Sequence, residues 1–314
     1  FYSQPAVYIM ILPGFGMASE VLAVHSRKSV FGYRAIALSS MAIALVGFTV
    51  WAHHMFTSLQ PELRIPFMIT SMIIAVPTGI KIFSWLGTLW GGKIRFTAAM
   101  LFSLGFLSMF VIGGIGGVML ASVPVNIHVH DTYFVVSHFH FVLYGGSVFL
   151  IFSGLYHWFP KITGRRLDEG LGKLHFWVTY FSFFFTFFPQ HIAGLQGMPR
   201  RIAVYDPTYT NINRLISFAA FVLGIATFIL LYNIVRSLLV GERVGANPWR
   251  GLTMEWATTS PPPAYNFVGD PIPFEDPYGY GTEEAQAYLD ALDRRFPPPA
   301  PQSAAAPLPE PAGD

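Results

Sequence analysis

Cysteine is absent from all 314 residues. That excludes disulfides, thiolate-held clusters, covalent haem attachment through Cys-x-x-Cys-His and a thiolate-bridged copper pair. Any metal this chain binds is held by nitrogen or oxygen. Charge is scarce as well: Asp, Glu, Lys and Arg supply 11% of the residues, where a soluble domain carries about a quarter. The net charge of +2 is too small to give a footprint for nucleic acid. The chain opens on Phe1 without a methionine or a secretory leader, so it reads as a fragment, a processed product or one half of a split protein, with part of the functional unit expected upstream.

What is present is apolar: 53% of residues are hydrophobic. Runs long enough to cross a bilayer, about 20 residues each, are read at 5–24, 35–57, 66–89, 98–122, 132–159, 174–188 and 215–240. The fold class expected is all-α, a polytopic bundle of about seven transmembrane helices in contact with membrane lipid. Basic residues cluster after the odd-numbered spans, as at Arg27, Lys28, Arg34, Lys93, Arg95, Lys161, Arg165 and Arg166. By the positive-inside rule those loops and the C-terminus are cytoplasmic. Arg200 and Arg201, on the outer side, then need a reason. Two regions are expected, a membrane region over 1–245 and a cytoplasmic tail over 246–314. Fourteen of the 24 prolines lie in that tail, which predicts an extended segment poor in packing potential. Thr282 to Phe296 is the exception: Thr282 can cap a short helix, with Glu283 and Glu284 in its first turn and Arg294 and Arg295 in its last.

Six of the ten histidines fall in two clusters, His53-His54 and His128 to His140. Imidazole is costly inside a membrane and is the commonest transition-metal ligand. His53 and His54 lie near the outer end of the second span, and His138 about 10 Å below the outer end of the fifth. His138 and His140 are about 200° apart around a helix axis, so one helix presents an imidazole to each of two centres. His53 and His54, about 100° apart, can turn to one metal. His25, His157, His175 and His191, near helix ends or loops, are read as hydrogen-bonded to a neighbour or part of a proton relay. His130-Asp131 is either a polar cap on the fifth span, with Asp131 at its N-terminus, or a site for Mg²⁺ or Mn²⁺. Lys81, three residues after Thr78 and roughly 22 Å from the outer surface, either snorkels inward as an anchor or joins a proton path.

Taken together, Trp51-Ala-His53-His54, Pro77-Thr78-Gly-Ile-Lys81, His130-Asp131-Thr-Tyr-Phe-Val-Val-Ser-His138-Phe-His140 and Gly197-Met-Pro-Arg200-Arg201 resemble subunit I of the haem–copper oxygen reductases of cytochrome c oxidase type. The resemblance runs from Phe1 to about Phe267 and corresponds to the last seven of that family's twelve helices. It implies that His53 and His54 ligate copper, His138 the high-spin haem a3 and His140 the low-spin haem a, that His130 and Asp131 bind magnesium, and that Arg200 and Arg201 pair with haem propionates. It implies a catalytic role for Tyr8 and a proton pathway through Lys81, Thr78 and Ser19. It further implies a terminal oxidase of the bacterial inner membrane that carries electrons from cytochrome c to O₂, translocates protons, and works with an upstream half and subunits II and III. Two departures stand out. Ala6 replaces a proton-carrying glutamate, for which Tyr2 and Ser3 resemble a known hydroxyl substitute. Gln4 replaces a third copper-ligating histidine, from which weaker copper retention and impaired oxygen reduction are expected. A quinol oxidase, a nitric oxide reductase relative and a non-catalytic remnant or assembly partner are the competing readings, with a transporter as the bland one.

Overall fold

Gly47 closes the second helix beside Tyr8, where only glycine fits: a Cβ there would lie 2.5 Å from the phenol ring. The chain then turns through Phe48 to Val50 into a 3₁₀ turn at Trp51–Met55 that carries His53 and His54. The computed structural model describes residues 3–297, which form eleven α-helices and no β-strand among the described residues. In chain order they are α1 (Ser3–Ser26), α2 (Tyr33–Gly47), α3 (Pro61–Ile73), α4 (Ala75–Leu89), α5 (Ala98–Ala121), α6 (Val123–Val129), α7 (Tyr133–Val142), α8 (Phe149–Thr163), α9 (Glu169–Leu195), α10 (Thr210–Val240) and α11 (Glu283–Arg295).

The expected seven spans are not matched one for one. Five stretches among the described residues are long and apolar enough to cross a membrane: Gln4–Ser26, Pro61–Leu89, Ala98–Ala121, Tyr133–Thr163 and Pro207–Val240. The second expected span is cut to the 15 residues of α2, because the chain leaves the helix after Gly47 for the 3₁₀ turn at Trp51–Met55. The sixth is the 27-residue α9, long enough but interrupted by Glu169 and Lys173 near its start and by Gln190 and His191 near its end.

The core is built on α5, which is apolar on every side and buries Phe102, Phe106 and Phe110. Small residues let its neighbours approach: a Cβ on Gly105 would lie 2.7 Å from the Phe149 ring, and one on Gly113 would lie 2.9 Å from the Phe141 Cβ. Between α7 and α8 the helix widens into a π turn at Leu143–Val148. Its Gly145 and Gly146 face Met109 of α5 and Ile11 of α1, each 2.8 Å from the place a Cβ would take.

The tail is not the loosely packed segment its prolines predict. Trp256 is fully buried, Trp249 nearly so, and the indole of Trp249 donates to the His157 carbonyl at 2.7 Å. Lys161 donates to the Thr258 carbonyl at 2.7 Å. Large aromatic side chains, which the proline count hides, supply the packing. The helix α11 forms where expected, with Thr282 Oγ1 accepting from Ala285 N at 3.1 Å. The last seventeen residues of the tail lie outside the described residues.

Candidate active site

His53 and His54 converge. Their Nε2 atoms are 3.1 Å apart, close to the spacing of two imidazoles sharing one cation at bonds of about 2.0 Å. The tautomer of His53 follows from its neighbour. Ser71 Oγ donates to the Phe67 carbonyl at 2.6 Å, so it accepts from His53 Nδ1–H at 2.9 Å and leaves Nε2 with its lone pair.

Gln4, 6% exposed, stands at the third corner. Its Oε1 is 2.8 Å from His54 Nε2, and its Nε2 donates to the Tyr8 hydroxyl at 2.6 Å. The carboxamide therefore bridges an imidazole and a phenol. Tyr8 accepts from Gln4 and keeps its own O–H proton to donate.

His138 and His140 face different helices, as their spacing predicts. His138 Nδ1 donates to the Gly113 carbonyl of α5 at 2.8 Å, and Gly117 provides the room for its ring, since a Cβ there would lie 2.9 Å from Cε1. His140 Nδ1 donates to the Val136 carbonyl at 2.8 Å while its ring stacks on Phe187 of α9, centroids 4.1 Å apart. In both residues a carbonyl, which can only accept, fixes the proton on Nδ1 and turns Nε2 into a free ligand atom. His138 lies within electrostatic reach of both His53 and His54. The 3₁₀ turn and α7 thus bring three imidazoles within electrostatic range of one another.

The outer-side residues are arranged differently from expectation. Thr132, not Asp131, caps α7, its hydroxyl accepting from Phe134 N at 3.2 Å. Asp131 has a left-handed backbone, φ 56°, and its Oδ1 accepts from Arg200 Nε at 2.7 Å. The guanidinium holds that carboxyl below the usual carboxylate range. His130 Nε2 is 3.4 Å from the other carboxylate oxygen. Among the described residues no three acidic, His or Cys side chains group as a metal site, so a cation at His130 and Asp131 needs further ligands. Arg201 is exposed.

Lys81 does not snorkel. It is fully buried, donates to the Ile36 carbonyl of α2 at 3.0 Å and bonds Ser40 Oγ. Its ammonium lies 5.2 Å from the Phe15 ring centroid. Thr78 Oγ1 is turned onto the Ile74 carbonyl at 2.9 Å. Ser19 Oγ accepts from Trp85 Nε1 at 3.0 Å, one helical turn below Lys81. Tyr2 and the side chain of Ser3 lie outside the described residues. His25 and His157 bond each other at 3.1 Å, His175 bonds Tyr156 and His191 bonds Ser137, the neighbour-bonded roles expected of them. Sequence reasoning missed Ser71, Gly113 and Ser40. The signal for Ser40 was present in the Ser39-Ser40 pair inside an apolar run; Gly113 acts through its carbonyl, which no side-chain pattern discloses.

Fold and site together define a polytopic helical membrane protein with imidazoles clustered inside the bundle. Residues 1–228 match the family profile described as Cytochrome C and Quinol oxidase polypeptide I, and the chain belongs to that family. It is 60% identical over 284 residues to cytochrome c oxidase subunit 1 of Synechocystis sp., covering 90% of this chain and 52% of that protein. It is 56% identical over 291 residues to the corresponding subunit of Thermostichus vulcanus, covering 92% and 53%. The chain therefore spans about half the length of these relatives. A heme-copper terminal oxidase dimer solved by cryo-EM shares the fold, with a TM-score of 0.71 at 21% identity over 77% of this chain and 48% of that one.

Proposed function

We propose that this chain is the C-terminal catalytic half of a cytochrome c oxidase subunit I, which passes electrons from cytochrome c to O₂, makes water and translocates protons. The observation that carries the reading is the meeting of His53 Nε2 and His54 Nε2, 3.1 Å apart, joined through Gln4 to Tyr8. His53 and His54 would hold copper, His138 the iron of haem a3, and His140 the iron of haem a. When bound, these groups supply the coordination site for O₂ and the electrons that reduce it.

The chain's own residues handle protons and position. Tyr8, whose hydroxyl accepts from Gln4, has its proton directed away from the carboxamide and available for donation. Lys81, buried one turn below Thr78, holds a proton between the two layers of the bundle, and Ser19 lies on its inner side. Asp131 holds Arg200 at the outer rim, where the guanidinium is placed for a haem propionate; with His130, the same carboxylate would serve magnesium once ligands from other segments complete the site. A further protein ligand for haem a and the acceptor of cytochrome c electrons would come from the upstream half and from subunits II and III. The setting is the bacterial inner membrane with the C-terminus cytoplasmic, which the basic loops support.

Gln4 distinguishes this chain from its family's pattern. A carboxamide oxygen is a poor donor to copper beside two imidazoles, so copper is held by a weakened set. The purified complex tests the reading: a reduced-minus-oxidised spectrum with CO should show one CO-reactive and one unreactive haem, with copper below one per haem pair. A complex with no CO-reactive haem would reject it.

A further inference from the structure

Glu20 stands at the inner end of this path and has not yet been given a role. It follows Ser19 on α1, twelve residues and about 18 Å below Tyr8 at 1.5 Å per residue. One carboxylate oxygen, Oε1, accepts from the Tyr278 hydroxyl, a contact between α1 and the tail. The other, Oε2, is buried and has no hydrogen-bond partner among the described residues. A buried carboxylate oxygen without a partner demands a proton or a water molecule.

The neighbours of Glu20 point the same way. On the next position Ser19 bonds Trp85, and Trp85 lies one turn from Lys81 on α4, with the Lys81 ammonium 6.0 Å from its ring. From the tail, Glu255 and Tyr280 face Glu20 electrostatically; from α2, Tyr33 packs on the Tyr278 ring with centroids 5.5 Å apart. Among the described residues no Lys or Arg forms an ion pair with the carboxylate.

We propose that Glu20, held in place by Tyr278 of the tail, takes up protons from the inner side and hands them through Ser19 and intervening water to the amine of Lys81. The step moves one proton: it leaves bulk water for Oε2, then leaves Oε2 for the water next to Ser19, restoring the carboxylate. Tyr278 acts as a positioning residue. The inference rests on the proton-path reading of Lys81 in the oxidase.

The test uses the complete oxidase complex and follows proton uptake from the inner side during anaerobic reduction, as a function of pH, alongside the CO spectrum. Glu20→Gln should slow uptake about tenfold with the spectrum unchanged, and Glu20→Asp should recover most of the rate. Tyr278→Phe removes a donor that stabilises the carboxylate, so the midpoint of the pH profile should move upward. It serves as the independent variant if Glu20→Gln does not assemble. Wild-type uptake and pH profile in Glu20→Gln, or an unmoved midpoint in Tyr278→Phe, would overturn the proposal and leave the oxidase reading standing. A wild-type complex without CO-reactive haem would overturn both.

Discussion

Gln4 touches both halves of the site, accepting from the His54 imidazole and donating to the Tyr8 phenol. Restoring an imidazole there should therefore change metal binding and the phenol together. Gln4→His is expected to raise copper affinity by roughly ten- to a hundredfold, the scale on which even outer partners of a metal act. Copper analysis after dialysis against a chelator checks this; full copper retention in the unsubstituted chain would remove the basis for it. The residues that carry imidazole chemistry were legible in the sequence because histidine inside an apolar run is conspicuous. Their tautomers were not, because these depend on Ser71 and on the carbonyls of Gly113 and Val136, which reach the rings only in three dimensions. The same holds for Arg200: its charge stood out, while its partner Asp131, 69 residues away in sequence, became apparent only in the folded chain.

At the scale of the helix, close approach is what places the imidazoles. Gly194 on α9 sits against the start of α7 so tightly that a Cβ would lie 2.0 Å from Phe134 N. The contact is with backbone, which cannot turn aside as a side chain can. Gly194→Ala should force α7 and α9 apart, cost about 3 kcal/mol or more, and displace the ring of His140 from Phe187. Thermal unfolding of the complex, read at the haem absorbance, measures the loss; an unchanged midpoint would show that α9 yields without strain. The sequence disclosed the long apolar helices through their length and hydropathy. It did not disclose that the second would stop at Gly47, where the ring of Tyr8 from another helix leaves room for no side chain, nor that His53 and His54 would sit on a 3₁₀ turn. Apolar runs read alike whether the backbone beneath them is one helix or a helix and a turn.

Across the whole molecule, the tail joins one end of the helix bundle, where it bonds His157 and Lys161. Trp256 is fully buried there, so Trp256→Ala should destabilise the complex by about 3–5 kcal/mol and expose the segment after Gly241 to protease, whereas an unaltered cleavage pattern would show that the tail is held by other contacts. Its proline content predicted an extended chain poor in packing; tryptophan and tyrosine determined where the described part of that chain adheres. The π turn between α7 and α8 has a related consequence. It adds a residue to a helix that otherwise repeats every 3.6 residues, which turns everything above it by about 100° relative to everything below. The upper segment can therefore aim one ring at α5 and another at α9, while the lower segment fits its own neighbours on a separate phase. Shortened by one residue, the helix would have to choose between its footing and its aim.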